Sequence, residues 1–148
     1  ETVITASSKW CVLDKNTHRI QRLTPLFEKF SDADFISGEL FENANQRVEQ
    51  LAEYETSDSH IFTVQVTDLD QNLHMNNARY GDIILNASGT EKLQNNRLLR
   101  IDANFMSQLF IGDEYKVYKF QNSSGTLIEV RKDSNGTPVF RAKVVWGI

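Results

Sequence analysis

The sequence predicts an α+β domain in which one amphipathic helix lies against a curled antiparallel sheet. Three observations support this class: a strand-like alternation over residues 61–66, a helical repeat of apolar residues after it, and strand-like segments separated by turn residues over positions 99–146. An apolar helical stripe of this kind is buried when it packs on one face of a sheet. At 148 residues, the chain is long enough for one ordinary domain with a sizeable core.

The first predicted strand covers residues 61–66, where polar and apolar side chains alternate and one face is fully apolar. The predicted helix follows over residues 76–87. Its apolar residues recur at i, i+3, i+4 and i+7, namely Tyr80, Ile83, Ile84 and Ala87. Asn76 or Asn77 is suited to cap the helix at its N terminus.

Four strand-like segments come next, and turn residues separate them. They cover residues 99–105, 115–120, 127–132 and 139–146. Ser-Gly and Asn-Gly dipeptides between alternating segments are hairpin signals, and they occur at 124–125 and 135–136. The expected order is therefore strand, helix and an antiparallel meander.

The first 58 residues are expected to lie outside this domain. Residues 3–13 are strand-like, residues 14–17 form a turn, and residues 19–23 are a short return strand. Further on, a helical turn over 26–30 and a helix over 39–52 are predicted within an acidic stretch that is typical of a linker. The chain starts at Glu1, inside a strand-like pattern, and we expect it to be a fragment of a longer protein.

Composition excludes several classes of protein. The formal net charge of -4 argues against a surface that tracks nucleic-acid phosphates. No apolar segment approaches the roughly eighteen residues of a membrane span, and no secretory leader is visible. The single cysteine, Cys11, rules out an internal disulfide framework and fits a reducing compartment. We therefore expect a cytoplasmic protein that binds neither nucleic acid nor membrane.

The most informative segment is the polar decapeptide Asp68–Asn77, which holds two carboxylates, four amides and one imidazole. A calcium loop would need glycine and glutamate where Leu73 and Arg79 stand. His74 has no histidine or cysteine at the spacing of zinc ligands. We therefore expect no metal and no cofactor. A polar turn whose Asn and Asp side chains cap the helix is the simpler interpretation, and catalysis is the alternative.

Residues 68–80 resemble the active-site signature of the bacterial and plant acyl-acyl carrier protein thioesterases. That signature reads Asp-x-Asp-x-Asn-x-His-x-Asn-Asn, followed shortly by a basic residue and tyrosine. The family is built from two tandem hot-dog domains, each a curled antiparallel sheet wrapped around one long helix. The resemblance implies that residues 1–24 close a truncated first domain, 25–58 form an acidic linker, and 59–148 are a second hot-dog domain with the catalytic cluster.

The resemblance implies that Asp70, Asn72 and His74 form this cluster. Hydrolysis of a thioester needs a polarised carbonyl, a positioned water and a route for the proton. Asn72 would polarise the carbonyl or hold the water, His74 would carry the proton, and Asp70 would orient either partner. Backbone N–H groups at the start of the helix would add partial positive charge where the oxyanion develops.

One position departs from the family pattern. The family places a glutamate on the facing strand, and counting back from Gly112-Asp113 puts Gln108 there. A neutral amide can orient a water but cannot take its proton, so the general-base role would fall to His74 or Asp70, or be lost. A shift of a few residues in the alignment would instead offer Asp102 or Asp113. The family's cysteine is replaced by Leu109, so nucleophilic cysteine catalysis has no support.

The resemblance implies hydrolysis of acyl-acyl carrier protein to a free fatty acid. The alternative is a hot-dog module that binds acyl thioesters or pairs with another hot-dog with little turnover; a dehydratase is a weaker third option. The expected partners are the acyl carrier protein and either the missing first domain or a second copy. The carrier is acidic, and six basic residues are candidates for a patch that docks it: Arg79, Lys92, Arg97, Arg100, Arg131 and Lys132. We prefer the simpler interpretation that these are scattered, solvated charges.

Overall fold

The computed structural model describes residues 4–14, 16–17, 19–22, 24, 46–52 and 60–148. The chain divides into two units, Glu1–Gln46 and Arg47–Ile148. The strands of the second unit are β1 (Ile61–Thr63), β2 (Arg97–Phe105), β3 (Glu114–Asn122), β4 (Gly125–Lys132) and β5 (Pro138–Gly147). Its α-helices are α1 (Asn77–Ser88) and α2 (Thr90–Asn95), and a 3₁₀ turn covers Val66–Asp68.

These strands form one antiparallel sheet of five strands in the order β1-β3-β4-β5-β2. The predicted hairpins join β3 to β4 and β4 to β5. Gly125 opens β4 with a φ of 141°, and a Cβ there would lie 2.7 Å from the carbonyl oxygen of Val144. Only glycine tolerates both conditions, so the Ser-Gly signal in the sequence has a steric cause.

Helix α1 packs on one face of the sheet through Tyr80, Ile83 and Ile84, which are buried as predicted. The Tyr80 ring stacks on Phe140 of β5 with 4.6 Å between centroids. At the N terminus, the predicted Asn76 cap is confirmed, because its side chain accepts from the N–H of Ala78 at 2.9 Å. The predicted α+β class, with one helix on an antiparallel sheet, is therefore confirmed. None of the described helices is both long enough and apolar enough to span a membrane.

The predicted strand over 61–66 is shorter in the structure. It ends at Thr63, and Val66 begins the 3₁₀ turn with 74% of its surface exposed. The Asp68 carboxylate accepts from the N–H of Gln65 at 2.8 Å and closes this turn. The local hydrogen bond therefore bends the chain before the apolar alternation is complete.

The helix predicted over 39–52 is wrong for its described part, because residues 46–52 are not helical. Residues 47–52 instead cross the sheet face opposite α1, where Val48 and Leu51 are buried against Leu127. The N–H of Val48 donates to the Asn104 Oδ1 at 2.7 Å. Residues 26–30 and 39–45 lie outside the described part of the chain.

Beneath this crossing segment lies a fully buried carboxylate, Glu129 of β4. Its carboxylate accepts one hydrogen bond from Nε of Arg131 and one, at 2.5 Å, from Nε of Arg141, which is its cross-strand partner on β5. Leu51 joins the cluster through its N–H, 3.4 Å from Glu129, and through its carbonyl, which accepts from Arg131 at 3.1 Å. A charge that is buried this deeply needs such partners, because removing an unpaired charge from water costs several kcal/mol of folding free energy.

In the first unit, the predicted turn over 14–17 is confirmed. Asp14 Oδ1 accepts from the N–H groups of Asn16 and Thr17 at 3.1 and 2.8 Å, and Leu13 pairs with Ile20. The long strand predicted over 3–13 is wrong for residues 4–12, which are not assigned to a strand. A strand requires a neighbour along its length, and among the described residues of this unit the pairing involves only residues 12–14 and 19–21. The assignment of residues 1–24 to a first domain stays a prediction.

We predict that Glu129→Gln lowers the free energy of unfolding by about 3–5 kcal/mol, because it leaves the buried guanidinium of Arg141 and the partly buried one of Arg131 without an anion. Urea denaturation followed by circular dichroism measures this loss. The matched control is Glu114→Gln at the exposed start of β3, which should change stability by less than about 0.5 kcal/mol. A loss below about 1 kcal/mol for Glu129→Gln would contradict the role given to the cluster.

Candidate active site

The polar decapeptide folds into a tight loop directly before α1. The N–H of Asp70 donates to the carbonyl of His74 at 3.0 Å, and the N–H of Leu73 donates to the carbonyl of Asp70 at 3.0 Å. Leu73 has a φ of 62°, an uncommon left-handed conformation for a residue with a side chain. Such backbone persists only when the surrounding contacts hold it, and it is frequent at functional sites.

The loop is fastened to the segment that precedes β3. The N–H of Met75 donates to the carbonyl of Leu109 at 2.7 Å, and His74 forms an antiparallel bridge with Phe110. The side chains of Met75 and Leu109 are both in the hydrophobic core, with 4% and 0% exposure. Because side chains alternate along extended backbone, His74 projects to the opposite, exposed side.

Asp70 and His74 form the central pair of the site. The Asp70 Oδ2 lies 3.3 Å from the Nδ1 of His74, and both side chains are about a quarter exposed, at 24% and 23%. The other carboxylate oxygen of Asp70 accepts from the backbone N–H of Asn72 at 2.7 Å. A proton held on Nδ1 toward Asp70 leaves Nε2 as the nitrogen that can accept another.

The side chains of the other two predicted site residues, Asn72 and Gln108, form no hydrogen bond to this pair. Asn72 is exposed at the turn of the loop, and its side chain has no hydrogen bond to a described residue. Gln108 is exposed on the facing segment, two residues before Phe110. Gln108 thus lies close in sequence to the bridge that joins this segment to His74.

The start of α1 contributes hydrogen-bond donors beside this loop. Asn76 uses its side chain to cap the N–H of Ala78, whereas the N–H of Asn77 has no hydrogen bond to a described residue. The first turn of a helix carries partial positive charge on such free N–H groups. This is the type of donor that can stabilise an oxyanion.

The two carboxylates considered as replacements for the missing glutamate are engaged elsewhere. Asp102 pairs with Arg100 at 2.7 Å on β2. Asp113 pairs with Lys132 at 3.0 Å and accepts from the N–H of Phe110 at 3.0 Å. Burial acts to raise the pKa of Asp113, but the Phe110 N–H and the Lys132 ammonium hold it below its ordinary value. Asp113 thus makes its contacts with Lys132 and with the segment that faces the loop.

No metal centre competes with this interpretation within the described ranges. They contain no group of three or more histidine, cysteine, aspartate or glutamate side chains placed to hold an ion.

A family model described as the acyl-ACP thioesterase C-terminal domain matches residues 51–147. The chain belongs to this family. The predicted membership is thus confirmed, and the matched range contains the whole polar loop, α1 and the sheet. No curated protein matches the chain significantly.

Solved structures show the same fold at low sequence identity. An acyl-ACP thioesterase from Bacteroides thetaiotaomicron superposes with a TM-score of 0.73 at 23% identity, over 91% of this chain and 53% of that chain. The 12:0-ACP thioesterase from Umbellularia californica gives 0.79 at 15% identity, over 91% and 52%. A Staphylococcus aureus protein in complex with CoA gives 0.53 at 21% identity, over 61% and 74%.

These similarities establish the architecture of this acyl-ACP thioesterase C-terminal domain. The five-stranded antiparallel sheet and its helix are the hot-dog fold predicted from the sequence. The chain spans about half the length of the first two thioesterases. Catalytic roles and substrates are therefore proposed below from the chain's own residues.

We predict that Asp113→Asn lowers stability by less than about 1 kcal/mol at pH 7, because a partly exposed ion pair is screened by solvent. The pKa of Asp113 is lower in the folded protein than in the unfolded chain, where it is about 3.9. Its ion pair therefore stabilises the fold above that pH, and this stabilisation is lost as the pH falls through the folded pKa. Urea denaturation at pH 7 and at pH 3 measures the difference. A loss that stays constant over this range would exclude the ionic explanation.

Proposed function

We propose that this domain carries the catalytic cluster for hydrolysis of acyl-acyl carrier protein, releasing a free fatty acid and the carrier thiol. The observation that carries the proposal is the Asp70–His74 pair, 3.3 Å apart on a loop fastened to the core at the start of α1. Family membership supports thioester hydrolysis as the chemistry. A cytoplasmic site of action fits the single cysteine, which is free and exposed.

In this mechanism, the Asp70 carboxylate holds the imidazole of His74 through Nδ1, and Nε2 takes a proton from the attacking water. The amide of Asn72 and the N–H of Asn77 donate to the thioester oxygen as it gains negative charge. When the carbon–sulfur bond breaks, the imidazolium returns its proton to the leaving thiolate. Proton and charge are then balanced without a metal or a cysteine nucleophile.

Gln108 has a supporting role in this scheme. From the facing segment its amide can hold the water in place, but it cannot accept the proton. The same feature favours the second candidate function, in which the domain binds acyl thioesters or pairs with another hot-dog with little turnover. The two candidates differ in one measurable property, the rate of hydrolysis.

The carrier-docking patch finds little support in the arrangement of charges. Four of the six basic residues considered for it are ion-paired with carboxylates of the chain: Arg79 with Asp82, Arg100 with Asp102, Arg131 with Glu129 and Lys132 with Asp113. Neutralised cations attract an acidic carrier weakly. The described residues thus favour a scatter of solvated charges over a dedicated patch, and recognition of the carrier would rest largely on the thioester itself.

Pairing with another hot-dog is proposed at the β2 edge. This strand ends the sheet, and on the α1 side its apolar residues Ile101 and Phe105 are 43% and 52% exposed. Leu99, at an irregularity in the pairing with β5, is 59% exposed. An unpaired edge with exposed apolar residues is typical of a protein interface. The first domain of a longer chain or a second copy would cover it.

We predict that Asn72→Ala and His74→Ala each lower kcat/KM for an acyl thioester by about 10²–10⁴-fold in the full-length protein, because each removes a group that acts on the reacting atoms. Steady-state release of free thiol measures the rate. Gln71→Ala is the matched control, since it removes an exposed amide of the same loop that has no assigned role. Undiminished rates in both variants would refute the site.

We further predict that Gln108→Glu raises kcat/KM if hydrolysis is limited by removal of the proton from water, since a carboxylate can share that task with His74. Gln108→Leu has a similar size and no polar group, and should lower the rate. A wild-type rate that is indistinguishable from the uncatalysed one, and that neither substitution changes, would establish the binding module instead.

A further inference from the structure

The carboxylate of Asp113 holds the segment that faces the polar loop. Its Oδ2 accepts from the backbone N–H of Phe110 at 3.0 Å and from Nζ of Lys132, the last residue of β4, at 3.0 Å. The backbone N–H of Asp113 donates to the carbonyl of Phe110 at 3.0 Å. Asp113 therefore closes the turn over residues 110–113 with its side chain as well as with its main chain.

The far end of this turn is fixed to the core by main-chain hydrogen bonds. The N–H of Gly112 donates to the carbonyl of Val64 at 3.1 Å, and the N–H of Val64 donates to the carbonyl of Asp113 at 3.0 Å. The side chain of Val64 is itself buried in the main core. The backbone of Asp113 is therefore a fixed point, from which its carboxylate restrains Phe110.

Phe110 carries this restraint to the polar loop. It forms the antiparallel bridge with His74, and that pairing uses the bond from the N–H of Met75 to the carbonyl of Leu109. The N–H of Phe110 is left for another acceptor and donates to Asp113. One residue thus joins the Asp113 carboxylate to the backbone of His74.

Lys132 fixes the direction of the carboxylate. Its ammonium pairs with Asp113 and lies 5.8 Å from the centroid of the Phe110 ring, within the range of a cation–π contact. Both charged side chains are partly exposed, and an ion pair at such exposure adds little to stability. The consequence of the arrangement is therefore local, because a charged acceptor makes a strong hydrogen bond to one N–H and fixes where the segment lies beside the loop.

We propose that Asp113 is a positioning residue for thioester hydrolysis, acting on His74 through Phe110; this inference rests on the proposed function. The carboxylate fixes Phe110, and Phe110 fixes the extended backbone of His74. The imidazole is thereby held beside Asp70, at 3.3 Å from its Oδ2. Asp113 does not act on the reacting atoms itself, but a small displacement of a group that does so lowers the rate strongly.

Steady-state hydrolysis of an acyl thioester by the full-length protein tests the inference with two substitutions. Asp113→Ala removes the acceptor for the Phe110 N–H and should lower kcat by about tenfold or more with little change in KM, because alignment is lost and the binding surface remains. Asp113→Asn keeps an oxygen that can accept from that N–H, so kcat should stay within about threefold of wild type. Since Asn cannot take a proton from water, this comparison also separates positioning from a role as general base.

Asp133→Ala is the matched control, because it removes a carboxylate of similar exposure that pairs with Lys116 and has no bond to Phe110. It should leave kcat unchanged. The decisive readout is the His74→Ala background, where Asp113→Ala should cause no further loss, since a positioning residue acts only through the group it positions. A general loss of structure would lower the residual rate in both backgrounds.

Circular dichroism of each variant establishes that the fold is retained. If Asp113→Ala fails to fold, Lys132→Met decides the question, because it releases the carboxylate and should lower kcat in the same direction by about threefold or more. A wild-type protein that does not hydrolyse thioesters would refute the proposed function and this inference with it. Wild-type hydrolysis with an undiminished kcat in Asp113→Ala, equal losses in the Ala and Asn variants, or a further loss in the His74→Ala background would overturn this inference alone.

Discussion

The hydrogen bond from the N–H of Met75 to the carbonyl of Leu109, 2.7 Å long, is the constraint on which the candidate active site depends. It joins two residues whose side chains are in the core. Their burial fixes the direction of their neighbours, because side chains alternate along extended backbone. His74 and Phe110, which face each other in this pairing, therefore lie on the side away from the core. A polar loop that would otherwise be mobile is held at the start of α1.

The two faces and the two edges of the sheet carry different features. The face toward α1 is apolar and forms the main core, whereas the other face holds the buried Glu129 between Arg131 and Arg141 beneath residues 47–52. The β2 edge leaves apolar side chains exposed, and the β1 edge borders a cavity. The proposed pairing at the β2 edge and the proposed catalysis at the polar loop therefore use different surfaces of one domain.

Much of this fold could be predicted from the sequence, because its signals are local. The apolar repeat of α1, its Asn76 cap and the hairpin dipeptides each depend on residues close in the chain. Residues 47–52 could not be predicted in the same way. The spacing of Val48 and Leu51 suits a helix, but their backbone bonds to Asn104 and Glu129, which are 56 and 78 residues away. The exclusion of Val66 from β1 was not predicted either, because the hydrogen bond from the N–H of Gln65 to the Asp68 carboxylate turns the chain after the strand.

The candidate site was predicted in a different way, from the resemblance of residues 68–80 to a family signature. The structure brings two of the residues named there, Asp70 and His74, within 3.3 Å of each other, and their catalytic roles stay a prediction. The residues that anchor the loop were missed, because Leu109 acts through its carbonyl, a group that every residue has. The position of Gln108 followed from a count along the chain, and its role stays a prediction.

A double-mutant cycle on kcat/KM for an acyl thioester tests the central claim most directly, using Asp70→Asn, His74→Ala and the double variant in the full-length protein. If Asp70 acts by holding the imidazole, its loss matters only while His74 is present, and the double variant should be no slower than His74→Ala alone. Losses that multiply in the double variant would show that the two residues act independently, and would contradict the account.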